Sequence, residues 1–206
     1  YTHDNDIRWI YFSWPEAETR PRVSWLLDTA AVVPGLTVRA STRPHPAVLY
    51  EVGPQFGTRP AWLDNDSLVA YHKLRSRLLV RGNDFEALNN LAILSRMLGR
   101  IDEARSCLEK LVAMVPNNPS IWLMMGEVLL SSDQPEPAGR AFQRARALDP
   151  RNPMATIGIG WSLLLNGREQ EAATTWRPVI SATHDPYTLG RMGELYAQLG
   201  DHDAES

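Results

Sequence analysis

The sequence reads as an all-α, right-handed superhelical solenoid of antiparallel helix pairs, preceded by an irregular segment with short strands. Three observations lead there. Residue types recur every 34 positions through the second half of the chain, the apolar residues inside each unit fall at helical spacing, and the first 65 residues have a different, aromatic and proline-punctuated composition. Ala92, Gly126 and Gly160 share one column of this lattice, and Leu91, Met125 and Ile159 the next. Ala104, Ala138 and Ala172 form a third, and Leu74, Leu108, Phe142 and Trp176 carry a fourth across four units. Pro116 and Pro150 close two units, with His184 in the third place.

In chain order, the segment 1–65 holds Trp9, Trp14, Trp25, Trp62 and seven of the fifteen prolines, so it is ordered rather than a charged flexible tail. Its pattern predicts a strand over Trp9 to Ser13, a helix from about Val23 to Val33, and extended pieces at Leu36 to Ala40 and Ala47 to Val52. Pro34-Gly35 reads as a turn, and Arg43-Pro44-His45-Pro46 as extended backbone. Two roles for the segment stay open: a small capping subdomain, or a strip lying along the helices in their groove. A single helix from Asp66 to Arg81 follows, with Asp64 and Asp66 as the expected cap.

The array then runs as units 85–116, 119–150 and 153–185 with a partial unit 186–206, so that residues 66–206 form one helical region. Small residues at Ala92, Gly126 and Gly160 allow the first helix of a pair to approach the second, where Ala104, Ala138 and Ala172 present a matching small face. Leu108, Phe142 and Trp176 fill the space between neighbouring pairs. Gly99 and Gly167 stand where a first helix stops in left-handed backbone, and Asp133 takes that place in the middle unit. Pro119 and Pro153 open helices, where a missing amide costs nothing.

These columns resemble the tetratricopeptide repeat family over about 140 residues, from Asp66 on. The unit from Pro119 to Pro150 is most similar, through Trp122, Met125, Gly126, Leu129, Ala138, Phe142, Ala145 and Pro150. The third unit departs from the family's pattern, with Thr156 where an aromatic is common and His184 in place of the terminal proline. The resemblance implies a concave surface lined by the first helix of each pair. Its lining would be Asn89, Ile93 and Met97 with Glu86, then Leu123, Glu127 and Leu130, then Met154, Ile157, Trp161, Leu164 and Leu165, and finally Tyr187, Glu194 and Gln198. Members that capture the carboxy-terminal peptide of chaperones use a clamp of Lys, Arg and Asn. The matching positions here are Asn89, Ile93, Met124, Met154 and Gly158, which keep a single Asn and no base. An apolar groove suits an amphipathic helix or extended segment of a partner protein, the chain's own first residues included. Burial of Ile157, Trp161 and Leu164 against that first segment is the competing reading.

Composition narrows the function classes. A formal charge of −3 gives no electrostatic footprint for nucleic acid, and no apolar run approaches the roughly 20 residues of a membrane helix. Cys107 is the single cysteine, so there is neither a disulfide framework nor a cysteine zinc cluster, and its place on a second helix reads as packing. Of 21 basic residues only Lys73 and Lys110 are lysine, a bias that points to a GC-rich, bacterial coding sequence. None of the five histidines has a partner at metal-ligand or general-base spacing. His3 with Asp4 and Asp6, and His202 with Asp201 and Asp203, read as solvated ends. Arg140, Arg144, Arg146 and Arg151, flanked by Glu136 and Asp149, read as a solvated helix face. No phosphate loop or nucleophile elbow occurs, so the expectation is a non-enzyme without cofactor or metal.

The expected function is a protein-interaction module that scaffolds or assembles a multiprotein complex. The alternatives are the substrate-recognition portion of a larger enzyme, a bacterial envelope assembly factor, or a structural subunit of a membrane complex. The first residue is Tyr1 and the last, Ser206, falls inside a repeat, so the chain is expected to be a processed protein or part of a longer one. Cytoplasmic, periplasmic and membrane-associated locations all fit.

Overall fold

The computed structural model describes residues 9–13, 26–31, 33–34, 36–42, 47–52 and 65–182. Two compact units divide the chain at Leu98/Gly99. In the first, β1 (Trp9–Ser13), β2 (Leu36–Thr42) and β3 (Ala47–Val52) form an antiparallel sheet in the order β1-β3-β2. The expected strands are therefore present. Phe12 pairs with Val48 and Ile10 with Tyr50, so inward side chains alternate as a half-buried sheet requires. The β2–β3 register slips between Val38 and Ala40, giving an edge strand with a bulge in a run that is otherwise exposed. Such a bulge bends the edge away from further pairing. Phe12, Leu27, Val48 and Tyr50 make a core to which Leu79 and Val80 of the first helix belong.

The helix expected near Val23 to Val33 is not formed by its described residues. Leu26 and Leu27 make a short 3₁₀ turn and the chain then turns at Thr29 and Ala30. The reason is local: the Asp28 carboxylate accepts the Ala30 amide, and the Ala31 amide bonds back to the Asp28 carbonyl, a pattern that competes with helix. The expectation for 43–46 lies outside the described residues, as do Asp64 and everything beyond residue 182.

Helix α1 (Asp66–Val80) is capped by Asn65, whose side chain accepts the Leu68 amide; Asp66 instead sits in the first turn, so the cap expected from Asp64 and Asp66 is corrected. Helix α2 (Phe85–Met97) packs on α1 and is capped by Asp84. Arg77 ties the two helices, bonding Asp84 at 2.7 Å and Glu86 at 3.1 Å. The lattice groups α1 with the array, beginning at residue 66. Packing joins it to both neighbours in its unit: Leu79 and Val80 pack against the core of the sheet and His72 meets Asp28, while its helical partner is α2.

The second unit contains α3 (Ile101–Met114), α4 (Pro119–Leu130), α5 (Pro135–Leu148), α6 (Pro153–Leu165) and α7 (Glu169–Ala182). Consecutive helices pack on one another, and α4 also touches α6. Asn118 and Asn152 cap α4 and α6, each followed by proline at the first helical position. The left-handed positions are as expected: Gly99 at φ 71°, Gly167 at φ 70°, and Asp133 at φ 54°. The small columns do allow a close approach, but it is a ring of the same pair, and not the alanine column expected, that the glycines are shown to face. A Cβ on Gly126 would lie 2.6 Å from the Phe142 ring, and one on Gly160 would fall on the Trp176 indole. Phe142 also fills the space a Cβ on Gly158 would need, so this ring is wedged between α4 and α6. Trp176 is fully buried and donates its indole N–H to the Ile157 carbonyl at 3.0 Å. Cys107 is buried on α3. Within the described residues no helix is long and apolar enough to cross a membrane.

Candidate functional site

The residues expected to line a groove occupy the first helices of the pairs, and their burial sorts them. On α2, Asn89, Ile93 and Met97 lie at i, i+4 and i+8; Ile93 is 37% and Met97 70% exposed. On α4, Leu123, Glu127 and Leu130 lie at i, i+4 and i+7 and are each half-buried, while Ile121, Met125, Val128 and Leu129 of the same helix form its core face. On α6, Met154, Trp161 and Leu164 are half-buried and Leu165 is exposed. Ile157 is corrected: at 2% exposure it belongs to the α6/α7 core with Ala172 and Trp176, and offers no surface. A one-residue shift on a 3.6-residue helix turns a side chain by 100°, so family position alone misplaces it. Glu86 is engaged by Arg77, and Tyr187, Glu194 and Gln198 lie outside the described residues.

Because α4 and α6 are in contact, Leu123, Leu130, Trp161 and Leu164 belong to neighbouring helices of one unit. Glu127 is the one charged residue of α4, and α6 has none. Among the named face residues the chemistry offered is therefore apolar contact with a single carboxylate. Catalytic geometry is not what these residues supply.

A second constellation is not legible in the spacing of the histidines. His72 on α1 does have a carboxylate partner: its Nδ1 lies 2.7 Å from Asp28 Oδ2, across 44 residues of chain. Arg75 Nε donates to the same oxygen at 2.9 Å. Its guanidinium also stacks over Tyr71, 5.6 Å from the ring centre. Asp28 is 1% exposed. Burial pushes its carboxyl up, but the His72 hydrogen bond, the charge and hydrogen bond of Arg75 and the Ala30 amide outweigh that and hold it below its ordinary value. Tyr50 donates its hydroxyl to the Leu26 carbonyl. Burial first, then the Asp28 charge, push that phenol up to about 12. The cluster ties the turn at Asp28 to α1. Among the described residues no group of three His, Cys, Asp or Glu could hold a metal ion.

The packing of glycine columns against Phe142 and Trp176 agrees with a comparison against protein families: residues 96–153 match the model described as Tetratricopeptide repeat. Over these residues the chain carries a tetratricopeptide repeat. Solved structures share its fold. TTC0263, a thermophilic repeat protein of the same kind in Thermus thermophilus, superposes with a TM-score of 0.56 at 20% identity, covering 69% of this chain and 79% of that one. MamA from Desulfovibrio magneticus RS-1 (41-end) gives 0.54 at 22% identity, covering 58% and 67%. A further structure of MamA gives 0.52 at 17%, covering 66% and 75%. At these identities the likeness is one of fold. Comparison with curated proteins finds no significant match. The repeat array is thus a helical interaction scaffold by architecture, with a small antiparallel sheet in the unit before it.

Proposed function

We propose that the repeat array scaffolds or assembles a multiprotein complex by holding an apolar helix or extended segment of a partner against the face of α4 and α6. The observation that carries this reading is the set Leu123, Leu130, Trp161 and Leu164, each half-buried on two touching helices, with Trp161 and Leu164 resting on the Ile157, Ala172 and Trp176 core. A soluble surface seldom retains such a cluster unless something covers it. An amphipathic partner helix would present apolar residues at i, i+3, i+4 and i+7 to it. The test is to identify what co-purifies from the native source and to measure its affinity for the wild type and for Leu123→Glu/Trp161→Glu. A loss of at least about tenfold is expected, since each anchor in an interface core contributes on the order of 1 kcal/mol or more. Unchanged affinity in a folded double variant would remove this face from the mechanism.

A further inference from the structure

The 34-residue lattice allows one junction between helix pairs to be compared with the next. At the junction before α4 the half-buried Trp122 takes the position of a plug, and its indole N–H donates to the Pro116 carbonyl at 2.8 Å. Beside it, Arg144 of α5 bridges to the Asn117 side chain at 3.2 Å. One unit later the positions of Trp122, Arg144 and Asn117 are taken by Thr156, Pro178 and Arg151. Threonine is too short to reach the Pro150 carbonyl, which is the counterpart of the Pro116 acceptor, and proline has no group to donate. Both the aromatic plug and the polar bridge are therefore lost together. What stands in their place is an open pocket of about 570 Å³, lined by Pro150, Thr156, Thr174, Pro178 and the two arginines Arg146 and Arg151.

The basic residues of the junction are rearranged as well. Arg146 and Arg151 stand where the preceding junction has Val112 and Asn117, while its Arg140 and Arg144 give way to Thr174 and Pro178, so the positive charge is relocated rather than increased. Neither has an ion-pair partner among the described residues. The nearby Asp149 carboxylate accepts the Arg151 backbone amide at 3.2 Å, a bond to the main chain and not to the guanidinium. An open pocket whose counterpart one unit earlier carries an indole, with Pro150 and two arginines in its lining, has a definite chemical complement. We infer that this junction is a binding pocket for a tryptophan side chain flanked by a carboxylate, presented by a peptide segment of a partner protein. The ring takes the place Trp122 fills in cis, its N–H faces the Pro150 carbonyl, and the carboxylate meets the guanidinium groups, where planar two-point bonding is available. The pocket shares no residue with the apolar face of α4 and α6, so the two stand or fall separately.

The test is a titration of the whole chain with acetyl-Trp-Asp-amide, followed by amide NMR shifts, with acetyl-Leu-Asp-amide and acetyl-Trp-Lys-amide as controls. Shifts centred on Thr156 and Val179 are expected, with the Trp-Asp probe binding about tenfold tighter than either control, the factor that 1.4 kcal/mol represents. Thr156→Trp should fill the slot in cis and abolish the response. Arg146→Glu/Arg151→Glu should weaken binding about tenfold or more. Equal binding of the three probes, undiminished binding to a folded Thr156→Trp chain, or no saturation by about 10 mM overturns the inference. Shifts confined to Leu123 and Trp161 overturn it as well, and assign the probe to the other face. Should Thr156→Trp fail to fold, the double arginine variant decides alone, and undiminished binding there is equally fatal.

Discussion

In the unit that ends at Leu98, a buried carboxylate joins a turn to a helix 44 residues away, whereas in the unit that begins at Gly99 a buried indole bonds a carbonyl only 19 residues off. The first contact depends on charge and on a chain that returns from a distance. The second depends on glycine and ring sizes fixed by a short period. One chain thus holds two units together by unlike means, and the two should fail differently.

The largest effect should come from the repeat unit's close approaches. Gly160→Leu places side-chain atoms where the Trp176 indole already is, and Trp176 is fully buried with no room to retreat. We expect a loss of at least about 3 kcal/mol, overpacking exceeding the roughly 1 kcal/mol that replacing helical glycine returns. Hydrogen exchange resolved by segment would check it: protection should fall first across α6 and α7 and not in the sheet. Equal loss in both units would erase the contrast between them.

A smaller effect, confined to the other unit, is expected of Asp28→Asn. It leaves His72 and Arg75 without their anionic partner, and because Arg75 is about a third exposed the cost should be about 2 to 3 kcal/mol rather than that of a fully buried pair. Acid should mimic it. The folded-state value of Asp28 lies below the ordinary 3.8, so its contribution is present above that value and lost as pH falls through the folded one. Denaturant melts of wild type and Asp28→Asn should converge only below about pH 4. Convergence at neutral pH would show that the carboxylate adds nothing.

The smallest effect sharpens the repeat side. Asp133 is the non-glycine residue that takes the left-handed turn Gly99 and Gly167 make in their units. Asp133→Gly should stabilise by about 0.5 to 1 kcal/mol, relief of the left-handed strain exceeding the entropy glycine adds to the unfolded chain. A thermal melt reads this as a rise in Tm of a few degrees.

Much of the fold is legible in the sequence, and the reason is visible residue by residue. Gly99, Gly167, Asp133, Pro119 and Pro153 signal their roles by backbone chemistry alone, which needs no neighbour to be known. Gly126 and Gly160 are legible as a small column, but that each faces the ring of its own pair, Phe142 and Trp176, is seen only in the packing. Strands β1 and β3 announce themselves through alternation and flanking prolines. The Asp28 turn does not, because its helix-like apolar run is overruled by a side chain turned onto its own backbone. His72 and Asp28 cannot be paired from spacing, since sheet topology and not sequence distance sets them side by side. Of the candidate groove, the apolar character of α4 and α6 is plain from their residues. Position in a family pattern puts Ile157 on that surface, and only packing against Ala172 and Trp176 shows it inside.

The period, the helix pairs, the left-handed stops and the separate columns of small and large residues are all present in the amino-acid order, because each is encoded in contacts that repeat within a few tens of residues. Three features come from the folded molecule alone: α1 lends Leu79 and Val80 to the core of the sheet, Asp28 is a buried ionised anchor, and an open pocket lined by Arg146 and Arg151 surrounds Thr156. Each of those depends on which surfaces meet across the chain, and a side chain's surroundings, unlike its backbone preferences, are not written in its neighbours.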